Sequence, residues 1–134
     1  MPTASLRSGC SWKPCELFAT IGGYLAENGP DELSERLLAN ASAVGALLLD
    51  GLRELWRLHP KAITDVRGVG LMIGVELRTA ELAELVQLRA FERGLLVLEC
   101  GESSIRVSPP LLITRDQAAT ALKILGEVLG AVTA

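Results

Sequence analysis

Several things are scarce in this 134-residue chain, and each scarcity excludes something. No apolar run approaches the roughly 20 residues that a membrane-spanning helix needs. The longest candidates, around Ala46–Leu49 and Gly70–Val75, are cut short by Asp50 and Glu76. Basic residues are also in deficit. The formal net charge is −3, and the 13 Lys and Arg are scattered, so a nucleic-acid partner is not expected. The cysteines Cys10, Cys15 and Cys100 are odd in number and lack metal-ligand spacing, which fits a free-thiol, cytoplasmic protein. His59 is the sole histidine, so no Ser/His/Asp set or His-based metal cluster is expected. Arg7–Lys13 has no apolar core of signal-peptide length.

Apolar side chains, by contrast, are in surplus: they make up 49% of the chain, and the mean hydropathy is +0.35. A soluble domain of this size that is not membrane-bound buries such an excess against another domain or a second subunit, so a homodimer is expected.

Residues 1–14 read as an irregular leader, and residues 15–134 as one domain with its lead-in helices. The spacing of Leu17, Ile21, Tyr24 and Leu25 predicts a short helix ending at Asn28-Gly29-Pro30. A long helix follows to Leu58, with a stripe of Leu33, Leu37, Val44, Leu48, Leu52 and Leu55. His59-Pro60 ends it, and His59 is expected to cap carbonyls there.

The segment DVRGVGLMIGVEL, Asp65–Leu77, reads as two short strands broken at Gly68 and Gly70. Gly68, Gly70 and Gly74 are expected where a side chain would meet either positive φ or a close backbone. These glycines do not form a dinucleotide loop, because Gly70 leads into a strand and not a helix. Thr79 can cap a helix over Ala80–Arg93 whose buried side is Leu82, Leu85, Val86 and Phe91. Leu95–Glu99 and Ser104–Ser108 read as a hairpin turning at Cys100–Ser103, stopped by Pro109-Pro110. Thr114 and Gln117 form a capping box for a last helix with a stripe of Ala118, Leu122, Leu125, Leu129 and Val132. The fold class is therefore α+β: a small, mainly antiparallel sheet of about four strands with helices on one face.

Arg106 is the one charge inside the apolar strand IRVSP. A guanidinium buried there needs a partner. Two partners are open: an internal ion pair with Glu76, Glu99 or Glu102, or a substrate carboxylate gripped through two parallel hydrogen bonds. Arg67 is expected to pair with Asp65 or another surface carboxylate. The acidic neighbours Glu99 and Glu102 argue against Cys100 as a nucleophile.

Taken together, DVRGVGLMIGVEL, RGLLVLECGESSIRVSPPLLIT and the upstream ATIGGYLAENGPDELSERL carry a specific pattern. In order and spacing, over Leu17–Leu129, it resembles the C-terminal small domain of class III aminotransferases. These are pyridoxal-phosphate enzymes of fold type I, including 4-aminobutyrate, ornithine and acetylornithine aminotransferases. The resemblance implies pyridoxal phosphate as cofactor, amino-acid and 2-oxo-acid substrates, and an upstream large domain. It places Arg106 at the position that binds the substrate carboxylate.

The departures from the family pattern matter too. The family's Schiff-base lysine belongs to the large domain, and Lys13, Lys61 and Lys123 do not stand in its context. Leu6 stands about where a cofactor-phosphate threonine would be. The chain alone is therefore expected not to transaminate. The alternative reading is a non-catalytic binding or dimerisation module derived from this domain.

Overall fold

The computed structural model describes residues 14–134. The predicted leader, apart from Pro14, and Lys13 and Leu6 with it, lie outside the described residues. Helix α1 spans Pro14–Leu58, followed by strands β1 (Ile63–Val69) and β2 (Met72–Leu77) and helix α2 (Ala80–Glu92). Strands β3 (Leu98–Cys100) and β4 (Ser104–Val107) and helix α3 (Arg115–Thr133) complete the order. Two compact units divide between Arg36 and Leu37, and the sheet belongs to the second, Leu37–Ala134.

One expectation at the start of the chain fails. The break predicted at Asn28-Gly29-Pro30 is absent, and α1 runs through those residues as helix. Proline removes a single backbone donor and strains the turn before it.

The four strands lie in the order β1-β2-β4-β3, and every neighbouring pair is antiparallel. This is the α+β arrangement that the sequence predicts. Because β3 and β4 form a hairpin and β4 pairs with β2, helix α2 carries the chain from the middle of the sheet to its edge.

Strand alternation puts Val66, Ile73, Val75, Leu77, Ile105 and Val107 on the buried face. Against it pack Val44, Leu48 and Leu52 of α1, Ala83, Val86 and Ala90 of α2, and Ala118, Leu125, Val128 and Leu129 of α3. Phe91 is a second correction, because it is 64% exposed. The buried seam of α2 is the small-residue line Ala83–Val86–Ala90, and Phe91 projects one residue round the helix from it.

The caps form as the sequence indicates. Thr79 Oγ1 accepts from the Leu82 amide. Thr114 and Gln117 make both bonds of the capping box. His59 departs from expectation: its side chain caps no carbonyl and instead meets Thr133 Oγ1 at 3.5 Å.

The glycines at the first hairpin have separate reasons. Gly70 turns at φ 57. A Cβ on Gly68 would lie 2.6 Å from the Met72 carbonyl oxygen. On the helix side, a Cβ on Gly45 would lie 2.2 Å from the Gly70 carbonyl oxygen, so α1 and the hairpin turn touch backbone to backbone. Gly74 does not meet the expectation for its motif. Its φ is not positive, and an added Cβ would come no nearer than 3.9 Å to any atom.

Candidate functional site

The helices cover one face of the sheet, and the other face is open. Across it, strand register builds rows of side chains. Arg67, Gly74, Arg106 and Leu98 are successive cross-strand partners on β1, β2, β4 and β3. The next row is Asp65, Glu76, Ser104 and Cys100. On the other side, Val69 opposes Met72.

A polar network centred on Glu76 ties Arg67 of the first row to the second. Arg67 donates to Asp65 Oδ2 at 2.8 Å and to Glu76 Oε2 at 3.3 Å. The hydroxyls of Ser103 and Ser104 donate to the two oxygens of Glu76. These hydrogen bonds, those of Ser103 and Ser104 first and Arg67 after them, hold the Glu76 carboxyl below its ordinary range. Its carboxylate partners raise the Arg67 guanidinium further still, with the hydrogen bond to Asp65 the main cause. The pairing expected of Arg67 is thus present, and Glu76 joins Asp65 in it.

Arg106 differs from the sequence expectation in one respect. Its strand is apolar, but its side chain lies on the exposed face and is not buried. The alternation of Ile105 and Val107 inward turns Arg106 outward. None of Glu76, Glu99 and Glu102 pairs with it among the described residues. Its Nη2 donates instead to Cys100 Sγ, at 3.2 Å.

Two clefts meet at Arg106. The open face forms a shallow one of ≈ 710 Å³ floored by Gly74 and bordered by Arg67, Met72, Glu102 and Arg106. The other, ≈ 490 Å³, is apolar, with Leu48, Leu52, Val97, Val107 and Pro109 in its walls and Arg106 on its lining. The loop that leaves β4 is pinned beside it, because Asn40 Nδ2 donates to the carbonyls of Leu111 at 2.6 Å and Ile113 at 3.0 Å.

Sequence reasoning missed two parts of this site. The serines of the hairpin turn, two and three residues before Arg106, were readable as hydroxyl donors. Their meeting with Glu76 needed the β2–β4 register. Asn40, about 70 residues upstream of its partners, left no local signal.

Residues 31–129 match the family model for aminotransferase class-III. The chain belongs to the class-III aminotransferases. It is 34% identical over 113 residues to putrescine aminotransferase of Pectobacterium atrosepticum, covering 83% of this chain and 22% of that protein. It is also 39% identical over 99 residues to the alanine/serine racemase of Pyrococcus horikoshii, or 68% of this chain and 21% of that one. The acetylornithine aminotransferase structure from Elizabethkingia anophelis superposes with a TM-score of 0.70 at 28% identity, over 74% of this chain and 25% of that one. The chain therefore spans about a quarter of the length of its class-III relatives.

Class-III aminotransferases use pyridoxal phosphate. The described residues do not fit it as a covalent guest. Lys61 lies exposed in the turn before β1 and Lys123 exposed on α3, and neither lines a cleft at Arg106. Among the described residues no group of three or more His, Cys, Asp and Glu could hold a metal ion. None of the described helices is long and apolar enough to cross a membrane.

Proposed function

We propose that residues 15–134 are the small domain of a pyridoxal-phosphate-dependent class-III aminotransferase, and that Arg106 grips the carboxylate of its amino-acid or 2-oxo-acid substrate. One observation carries the reading. The sheet face bears two arginines in one row; Arg67 is matched by Asp65 and Glu76, whereas Arg106 has no carboxylate partner among the described residues. An arginine beside a cleft whose fork is engaged by a weak sulfur acceptor and by no carboxylate among the described residues suits a planar two-oxygen acid.

In this reading the cofactor and its lysine come from an upstream large domain, and the 134-residue chain alone does not transaminate. The test is an absorbance spectrum after adding pyridoxal phosphate to this chain, followed by an assay with an amino donor and a 2-oxo acid. A Schiff-base band with turnover would overturn the claim of inactivity. For the carboxylate role, Arg106→Lys in an active enzyme carrying this domain should raise KM for the 2-oxo acid while melting stays near wild type. Unfolding with unchanged KM would assign Arg106 to structure instead.

A second reading is favoured by Val69, Met72 and Leu98, which are 87%, 67% and 55% exposed on the same open face. Apolar side chains of this kind suit a dimerisation or binding module. Sedimentation of the purified chain separates the two. A stable dimer of the 134-residue chain supports the module, and a monomer counts against it.

A further inference from the structure

Gly74 is the one glycine of the GVGLMIG segment whose presence the domain itself does not explain. Gly68 lies against the backbone of β2, and Gly70 needs its positive φ. Gly74 sits mid-strand in β2, where glycine weakens a sheet by removing a side chain and adding backbone freedom. Nothing in the fold demands it. The backbone is ordinary, and an added Cβ would make only van der Waals contact, 3.9 Å from the Arg67 carbonyl oxygen and 4.0 Å from its Cγ.

What glycine does provide is a level floor. Gly74 is the cross-strand partner of both Arg67 and Arg106, so it separates the two guanidiniums on the open face. It also belongs to the lining of the ≈ 710 Å³ cleft that both arginines border. Strand-interior glycines often mark a bulge, a tight bend or a close approach of a ligand or another backbone, and β2 pairs in regular register on both sides of Gly74. Of the two arginines, Arg106 is the one without a carboxylate to hold.

From this we infer that Gly74 is a specificity-determining residue. It keeps the cleft floor clear so that an acid held at its carboxylate by Arg106 lays its hydrocarbon chain over Gly74 and along β2, toward Met72. The ligand class is an unbranched aliphatic carboxylic acid. A side chain at position 74 would stand where that chain lies, although the sheet would tolerate it or gain from it. This deepens the reading of Arg106 given above and rests on it.

The experiment uses the full 134-residue chain with glutarate as probe, following the Arg106 guanidinium and the residue-74 amide by NMR titration, with thermal melts alongside. Wild type should show saturable shifts at both groups. Arg106→Gln should abolish saturation. Gly74→Val should melt no lower than wild type yet bind at least ~tenfold more weakly, a loss of about 1.4 kcal/mol, with Gly74→Ala between the two. If both position-74 variants bind glutarate as wild type does while Arg106→Gln does not, the inference about Gly74 is overturned and the role of Arg106 stands. If Arg106→Gln binds as wild type does while Gly74→Val does not, the grip is wrong and the floor survives. An absence of saturable shifts in wild type overturns both. Should Gly74→Val lose stability, Gly74→Ala decides: wild-type affinity in a folded protein counts against the inference.

Discussion

Arg67 and Arg106 face the same side of the sheet in one cross-strand row with Gly74 between them, yet their surroundings are opposite. Arg67 is matched by Asp65 and Glu76, whereas among the described residues Arg106 has only the sulfur of Cys100. The difference comes from the neighbouring row, in which Asp65 and Glu76 stand on the β1 side and Ser104 and Cys100 on the β4 side.

Removing the Arg106 guanidinium should therefore cost the fold little. Exposed substitutions outside networks usually stay within about 0.5 kcal/mol. Arg106→Gln should unfold in urea at nearly the wild-type midpoint. A large downward shift would mean that the Cys100 contact holds the hairpin.

Glu76 should give the domain an acid-sensitive component of stability. Its carboxyl titrates lower in the fold than its ordinary value of 4.5, chiefly because Ser103 and Ser104 donate to the ionised form. The ionised group thus favours the folded state above its unfolded pKa, and that contribution is lost as pH falls through the lowered folded value. Urea midpoints of wild type and Glu76→Gln should differ at neutral pH and converge on acidification. A gap that is constant with pH would assign the effect to something other than ionisation.

Gly45 should be intolerant of any side chain. A Cβ there would stand 2.2 Å from the Gly70 carbonyl oxygen, and backbone cannot swing aside as a side chain can. Gly45→Ala should destabilise by about 1–3 kcal/mol, the usual cost of overpacking. The measurement is the melting temperature beside that of Gly130→Ala, where an added Cβ meets nothing within 4 Å. Gly130→Ala should be neutral or stabilising, since alanine is the better helix former.

Thr114→Ala should remove one half of the capping box and weaken the start of α3 by about 1 kcal/mol. Hydrogen exchange localises the effect. Protection should fall in the first turn of α3 before it falls in the sheet.

The sequence carried most of the fold, because its signals are local. Apolar alternation, Thr79, the Thr114–Gln117 pair and the glycine turn each act within a few residues. The continuous helix through Pro30 was not legible, since a proline weakens a helix without dictating that it end. Hydrophobicity alone does not place Phe91, because the close seam of α2 takes the small residues Ala83, Val86 and Ala90. At the site, an apolar strand around Arg106 suggested burial, although alternation alone turns that residue outward. The network at Glu76 joins residues 27 and 28 positions apart, so it could be seen only once the strands were in register.

The two hydrogen bonds of Asn40 have a mechanical consequence. They fasten the chain just beyond Pro109-Pro110 to α1, only a few residues after Arg106. The segment that leaves β4 thus takes its path from the helix as well as from its own strand.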